Sequence, residues 1–275
     1  MKIKITVSIL ISIFLLGCGQ QFEKSERKYN SSMNFLAKQK ASAVPFKAQG
    51  SGRAEFIDAD GEKNMENITR IDVIFNPPNK LYVSMDHLLQ KSAVSLGLTG
   101  HEFWIWSRFR DRNDIYWGQQ NMLVMDNRLP VGLRPEAFLE CLGHVNYEKE
   151  EELFVSDELS IGIGNGRGQM VKALEFSPDD HTLRRIGYFN SENNLIMLCE
   201  LDDYRPVSLE SEYILPRKIR LYFYKRQSEL SIKLDKITLV DPEDEKYSRA
   251  FNMPSKDRVK EVYLLTESGE FIQEK

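Results

Sequence analysis

Period-two alternation of apolar and polar residues runs through most of this 275-residue chain, and it is the feature that most constrains the fold. The alternating stretches are short, and turn-forming residues separate them, for example at positions 58–61, 76–79 and 99–100. A strand with one buried face has this period, whereas a helix places its apolar residues three and four positions apart. We therefore expect a protein built mainly from β-strands.

About ten adjacent strands and two clear helical segments favour a single curved antiparallel sheet, or a barrel, over a doubly wound fold. The apolar parity of the strand at 230–239 changes partway along, which indicates a β-bulge near Asp235 and Lys236. Residues 262–265 and 271–272 are expected to pair as a final hairpin. No linker of biased composition divides the chain, so one β domain is the economical interpretation.

The first helical segment spans residues 22–40. Phe22, Tyr29, Met33 and Leu36 follow one another at spacings of seven, four and three, which places them on one helical face. We expect this face to pack onto the body of the protein. A membrane-surface role is the alternative, but the polar face mixes glutamate with lysine and is not uniformly basic.

The second helical segment spans residues 135–143, with Pro135 in its first turn and Gly143 at its end. It contains Cys141, and Cys199 lies in an apolar predicted strand. Both cysteines are interpreted as small buried apolar side chains. Whether they form a disulfide stays open, because the sequence does not set the distance between them.

The N-terminus has the layout of an export signal. Residues 5–16 are uncharged and follow two lysines, and this run is too short to span a bilayer. The sequence Leu-Leu-Gly-Cys at 15–18 resembles a bacterial lipobox. The resemblance implies cleavage after Gly17, lipid attachment at Cys18 and further acylation of the new amino terminus. An ordinary secretory peptide with a chance cysteine is the alternative.

The lipobox interpretation predicts a lipid-anchored protein of the cell envelope. Two or three acyl chains hold a domain persistently on a bilayer, whereas one chain does so only marginally. Gly19 stands where an aspartate would favour retention in the inner membrane, so we expect the outer membrane, facing the periplasm. The remaining composition, 28% charged and 41% hydrophobic, is typical of a globular domain.

None of the possible motifs for catalysis or for binding a metal or cofactor is complete in this sequence. His101 and Glu102 begin like a zinc-protease helix, but Ile105 replaces the second histidine. The four histidines lack the spacing of metal ligands. The glycine-rich residues 162–168 are better explained by a hairpin turn at Asn165 and Gly166 than by a dinucleotide fingerprint. A formal net charge of -4 gives no attraction for nucleic acid. We expect a non-enzymatic monomer without cofactor or metal, and an enzyme is the minority alternative.

Several segments together resemble the superfamily of LolA, a periplasmic lipoprotein carrier, and LolB, an outer-membrane lipoprotein receptor. The segments are residues 74–83, with a Pro-Pro turn; 102–106, an aromatic strand; 129–136, before the short helix; and 215–221, 234–239 and 251–254 near the end. The resemblance implies an unclosed antiparallel half-barrel whose concave face is covered by helices. The chain then divides into a signal peptide (1–17), a lipidated N-terminus with an amphipathic helix (18–47), the half-barrel (48–254) and a C-terminal hairpin extension (255–275).

The resemblance also implies a hydrophobic cavity for acyl chains of lipoproteins or phospholipids. Acyl tails form no hydrogen bonds, so such a cavity needs only apolar area and a removable lid. Candidate lining residues are Phe56, Val73, Phe75, Leu81, Val83, Val94, Leu96, Trp104 and Trp106 from the sheet, and Phe138 and Leu142 from the lid helix. Each of them could equally be an ordinary core residue, and strand parity is undecided for Trp104 and Trp106. The alternative function is an envelope scaffold with a filled interior.

Overall fold

The computed structural model describes residues 26–58, 60–109, 112–123, 134–145, 147, 153–157, 159–165 and 168–274. These residues form one sheet of 15 strands. In chain order the strands are β1 (Phe46–Ile57), β2 (Lys63–Asn76), β3 (Lys80–His87), β4 (Gln90–Thr99), β5 (Glu102–Ser107), β6 (Asp114–Gln119), β7 (Leu153–Asp157), β8 (Ser160–Gly164), β9 (Met170–Phe176), β10 (Leu183–Phe189), β11 (Leu195–Pro206), β12 (Ile214–Phe223), β13 (Ser228–Leu239), β14 (Glu261–Leu265) and β15 (Phe271–Gln273). The described α-helices are α1 (Glu26–Ser42), α2 (Pro135–Cys141) and α3 (Glu245–Ser248).

The strands lie in the order β15-β14-β6-β5-β4-β3-β2-β1-β13-β12-β11-β10-β9-β8-β7, with β15 and β7 as the two unjoined edges. Neighbouring strands are antiparallel, except that β14 runs parallel to β6. The predicted curved, unclosed antiparallel sheet is therefore confirmed, with this one parallel pair added. The predicted hairpin is also present, because Leu264 pairs with Ile272 and Leu265 with Phe271.

The sheet has more strands than the sequence predicts, and β6 and β8 are two that the apolar pattern did not reveal. Strand β8 has the sequence Ser-Ile-Gly-Ile-Gly, and glycine has low strand propensity because it offers no side chain to pack. Strand β6 pairs with β5 and with β14, from the C-terminal end of the chain. Both strands are therefore held by pairing with neighbours more than by their own sequence.

A β-bulge in β13 lies where the change of parity predicts it. Gln49 of β1 pairs with Lys236, whereas Gly50 pairs with Leu234, so Asp235 is the extra residue. A Cβ atom at Gly50 would lie only 2.0 Å from the carbonyl oxygen of Lys233. The close approach of the two backbones at the bulge thus requires glycine at this position.

One face of the sheet, here called the inner face, carries the core. Cross-strand pairing places Phe46, Phe75, Leu81, Leu98 and Phe103 in one row across five strands. A second row consists of Ala48, Val73, Val83, Leu96 and Ile105. Directly paired residues point to the same side of a sheet, so the two rows form one apolar surface. These residues are buried and belong to one hydrophobic cluster with residues of α1 and α2.

Both predicted helices are present and pack on the inner face. Helix α1 buries Leu36, at 2% exposure, and Met33 packs against the core, as the predicted packing role requires. Phe22, at the predicted start of this helix, lies outside the described residues. Helix α2 begins at Pro135, and Gly143 follows it with a φ of +84°, a conformation that favours glycine.

Candidate functional site

Helix α2 is the element that closes the concave face. It packs near β4 and β5, which lie on one side of the sheet. Its other contacts reach Lys172 of β9, Tyr188 of β10 and Cys199 of β11, which lie on the other side. Five strands separate these two groups in the sheet order. A helix of seven residues reaches both only because the sheet curls around it, so α2 lies inside the half-barrel.

Seven of the sheet candidates lie on the inner face, the face that helix α2 covers. They are Phe56, Val73, Phe75, Leu81, Val83, Val94 and Leu96. The two helix candidates, Phe138 and Leu142, are buried in the same hydrophobic cluster.

Trp104 and Trp106 lie on the opposite face, away from the other candidates. Trp104 pairs with Gly97 and packs its indole over that residue, where a Cβ atom would be 2.4 Å away. Its Nε1 donates to the carbonyl oxygen of Phe251 at 3.1 Å, so the C-terminal segment covers it. In this strand the inner-face residues are Phe103 and Ile105. The correction follows from alternation: successive side chains of a strand point to opposite faces, and only the register shows which face is inner.

The inner face is filled where α2 covers it. Phe75 and Leu81 are 0% exposed, and Leu96 is 1% exposed. Phe138 and Leu142 of the helical segment are 3% and 2% exposed. At these values no water molecule can lie against the side chains, so the face and the helix contact each other directly. In this conformation, entry of a guest into this region requires α2 to move.

Packing is looser at the other end of β1 and β2. Ala54, Ile68 and Val94 are half-buried there and pack against the core, and the half-buried Phe56 lies on the same face by register. Glu66 and His87 also lie at this end, with the His87 Nε2 atom 2.8 Å from a Glu66 carboxylate oxygen. The inner face thus continues beyond the part that α2 fills, and there the apolar residues Ala54 and Phe56 pair across the strands with the polar residues Glu66 and Asn64. Most of the loop predicted to lead into α2, residues 129–136, lies outside the described residues.

A buried polar cluster fastens α2 to the sheet, and the sequence analysis did not predict it. Glu140 is 2% exposed although it lies on the helix. Its carboxylate forms an ion pair with the Lys172 ammonium and accepts a hydrogen bond of 2.7 Å from the Tyr188 hydroxyl. Burying a carboxylate is costly unless it is paired and hydrogen-bonded. A signal was available in retrospect, because Glu140 stands between the apolar residues Leu139 and Cys141 of a short helix.

Two further titratable groups lie in the α2 segment, Glu136 within the helix and His144 just after it. Burial raises the pKa of the Glu136 carboxyl, although the Arg134 guanidinium, at 3.4 Å, acts in the opposite direction. Burial also lowers the pKa of His144, and the positive charge of Lys40 adds to this effect. The His144 ring packs against Phe75, with the ring centroids 5.6 Å apart. Burial therefore shifts the titration of both groups toward their neutral forms, compared with the same groups in water.

The side chain of Gln39 holds helix α1 to the sheet, because its amide group both donates to and accepts from the backbone of one strand residue. The Gln39 Nε2 atom donates to the carbonyl oxygen of Ile214 at 2.6 Å, and the Ile214 amide donates to Gln39 Oε1 at 3.2 Å. Gln39 is 1% exposed, so both bonds are shielded from water. The hydroxyl of Tyr213 donates to the carbonyl oxygen of Leu142 at 2.8 Å, which ties the end of the α2 segment to the same region.

The expected strand at His101 and Glu102 is present, since β5 begins at Glu102. Within the described ranges, no three His, Cys, Asp or Glu side chains converge as metal ligands would. In the same part of the chain no helix has the length and apolar character needed to cross a bilayer. The predicted signal peptide and Cys18 lie outside the described residues.

Comparison with solved structures finds similarity at low sequence identity. A DUF1329 family protein from Desulfovibrio piger aligns with a TM-score of 0.51 and 8% identity, over 81% of this chain and 96% of its own. A LolA superfamily protein from Nitrosomonas europaea aligns with a TM-score of 0.46 and 10% identity, over 78% and 96%. A Vibrio parahaemolyticus domain described in terms of outer membrane lipoprotein sorting aligns with a TM-score of 0.48 and 7% identity, over 81% and 98%.

No protein-family model and no curated protein matches the chain. The likeness to the Desulfovibrio piger structure is one of fold alone.

Proposed function

We propose that this protein is a lipid-anchored, periplasm-facing envelope lipoprotein that binds acyl chains of lipoproteins or other envelope lipids, as an acceptor or carrier. The acyl chain would lie between the inner face of the sheet and the helices. One observation carries the proposal: a continuous apolar face lines a half-barrel and is closed by a helix of seven residues. The lipobox at Cys18 would keep this face next to a membrane that supplies such chains.

The energetics permit reversible exchange between helix and guest. An acyl chain that buries fourteen methylenes gains about 11 kcal/mol relative to the same chain in water. Displacing Phe138, Leu139 and Leu142 from the interior costs roughly 1.5–3 kcal/mol for each side chain. Breaking the polar contacts of Glu140 adds to the cost of displacing the helix. The free energy gained by burying the acyl chain therefore exceeds this cost by only a few kcal/mol. A carrier needs such a balance, because it must release its cargo.

The half-buried end of the inner face suggests where a guest first enters. Ala54, Phe56 and Val94 are partly exposed there and lead to the fully buried rows around Phe75. An acyl chain could lie against these side chains before α2 moves.

A second function, a non-catalytic scaffold, is favoured by the packing of the closed conformation. The inner face under α2 is filled by protein side chains, with Phe75 and Leu81 at 0% exposure. A fold that keeps its interior filled permanently would present only its outer surface to partners. The two functions differ in whether the inner face ever accepts a guest.

Lipid analysis of the full chain, produced in a bacterial envelope and purified, tests the proposal. With reductant present throughout, we expect co-purified lipid by mass spectrometry and a fluorescence increase with an acyl-chain probe. The Phe56→Glu variant places a charge on the inner face and should weaken probe binding at least tenfold. The matched control is Ile57→Glu, the next residue of the same strand, which points to the opposite face and is 40% exposed. Absence of both lipid and probe binding in the unmodified protein would favour the scaffold.

A further inference from the structure

The two cysteines of the described chain meet at the contact between helix α2 and the sheet. Cys141 lies in the last turn of the helix, and Cys199 lies in strand β11, on the inner face. Their Sγ atoms are 2.8 Å apart, and both are free thiols in this structure. A disulfide bond is about 2.05 Å long, so a small adjustment of the two side chains brings the sulfur atoms to bonding distance.

We propose that Cys141 and Cys199 form a reversible disulfide that fastens helix α2 to strand β11. The pairing joins residues 58 positions apart in sequence. It also joins helix α2, which must move before a guest can enter, to strand β11. Strand β11 is fixed by hydrogen bonds to strands on both sides, since Cys199 pairs with Ile186 and Leu221. The envelope location expected from the lipobox is a compartment where disulfides form and persist.

The oxidation is a thiol–disulfide exchange with a disulfide oxidant, such as an envelope dithiol oxidase or oxidised glutathione. A thiolate of one cysteine attacks the oxidant and forms a mixed disulfide, and the other cysteine then displaces the oxidant's second sulfur. One S–S bond forms within the protein and one breaks in the oxidant. The two cysteines lose two protons and two electrons, and the oxidant leaves as two thiols.

The burial of both thiols decides when exchange takes place. Cys141 and Cys199 are 0% exposed, so an external oxidant or reductant cannot reach them while α2 is in place. Burial also raises the pKa of Cys199, which suppresses the reactive thiolate in the closed fold. Oxidation therefore takes place before α2 packs during folding, or when α2 lifts. Once formed, the bond is protected until the helix moves again.

This bond gives the proposed acyl-binding function a redox control, and that consequence rests on the function proposed above. With the disulfide formed, α2 cannot leave the inner face at its C-terminal end, and access to the filled region is closed. With the thiols reduced, this end is held by non-covalent contacts alone, among them those of Glu140 with Lys172 and Tyr188 and the hydrogen bond from Tyr213 to Leu142. The reduced protein is the form that accepts a guest.

Peptide mapping of the full chain under non-reducing conditions tests for the bond. The protein is purified from a bacterial envelope, denatured with iodoacetamide and digested. We expect the peptides of Cys141 and Cys199 to be linked, with two hydrogens fewer than the sum of the free peptides, and to separate after dithiothreitol. Alkylation of both thiols without reductant, in protein that has also been refolded with oxidised glutathione, would overturn the proposal.

A second measurement uses the native protein and does not depend on any variant folding. Probe binding and thermal unfolding are compared before and after reduction. We expect the oxidised form to unfold about 10 °C higher and to bind the acyl probe at least tenfold more weakly. The Cys199→Ala variant should match the reduced protein in probe binding and show no response to dithiothreitol.

The outcomes separate this inference from the proposed function. A linked pair of peptides, with no probe binding in either redox form, would support the disulfide and count against acyl binding. Free thiols with strong probe binding would overturn the disulfide and leave acyl binding supported. A linked pair with equal binding in both forms would overturn the redox control.

Discussion

Replacing Lys172 with methionine removes the positive charge that faces the Glu140 carboxylate under helix α2. Methionine keeps most of the length and apolar volume of the lysine stem, so the change is mainly one of charge. The side chains of Glu140 and Lys172 are 2% and 13% exposed, and Tyr188 is buried. In the variant the carboxylate keeps the Tyr188 hydrogen bond but loses its counter-charge in a nearly dry site.

The expected loss is about 3–5 kcal/mol in the free energy of unfolding, since removal of one partner leaves a buried charge uncompensated. Removing both charges together, in Glu140→Gln with Lys172→Met, should cost less than the single lysine change. Tyr188→Phe removes a hydrogen bond to a charged group and should cost about 1.5–3 kcal/mol.

Urea unfolding followed by tryptophan fluorescence measures these losses. Lys233→Met is the matched control, because Lys233 also lies on a strand and pairs with Asp235 at 2.7 Å, but its side chain is 63% exposed. An exposed pair contributes about 0–1 kcal/mol, so this variant should remain close to the unmodified protein. If Lys172→Met were no more destabilising than Lys233→Met, the inference that a buried ion pair fastens α2 would be refuted.

Three further predictions concern pH and packing. Burial raises the pKa of Glu136 above its ordinary value of 4.5, so its contribution to the free energy of unfolding is full below pH 4.5 and is lost as pH rises. Glu136→Gln should remove this loss of stability from urea unfolding curves taken between pH 4.5 and 7. Burial, reinforced by the charge of Lys40, lowers the pKa of His144 below 6.5, so its contribution to the free energy of unfolding is full above pH 6.5 and is lost as pH falls. His144→Gln should therefore reduce the dependence of stability on pH below 6.5. An unchanged dependence would contradict this. Gly97→Ala places a Cβ atom 2.4 Å from the Trp104 ring and should cost about 1–3 kcal/mol by urea unfolding, with an unchanged midpoint arguing against the close contact.

Local patterns predicted much of the sheet, because strand period, turns and helix ends depend on neighbouring residues. The helix at 135–143, with Pro135 at its start and Gly143 after its end, follows from such rules. The bulge at Asp235 is also visible in the sequence, because it changes which residues of one strand are apolar. Strand β8 was missed, since alternate glycines weaken the pattern and its position depends on pairing with β7 and β9.

The candidate site was predicted only as a set of apolar residues. Val73, Phe75 and Leu81 lie on the inner face because their strands share one register. Trp104 and Trp106 have the same apolar character, and only the position of the Phe251 segment shows that a second covered surface exists on the opposite face. Both sides of β5 are apolar, so alternation alone could not orient that strand.

The sequence by itself determined a mainly β protein with a curved antiparallel sheet or barrel, two helical segments and the residues that can form its apolar face. These features depend on the local period and on turn chemistry, which are properties of short stretches of chain. Only the tertiary structure decided which face of β5 is inner and that α2 reaches both sides of the half-barrel. It also brought Glu140 to Lys172 and Cys141 to Cys199, pairs separated by 32 and 58 positions. Contacts across such separations are set by how the sheet curls around the helix, and no local pattern encodes that geometry.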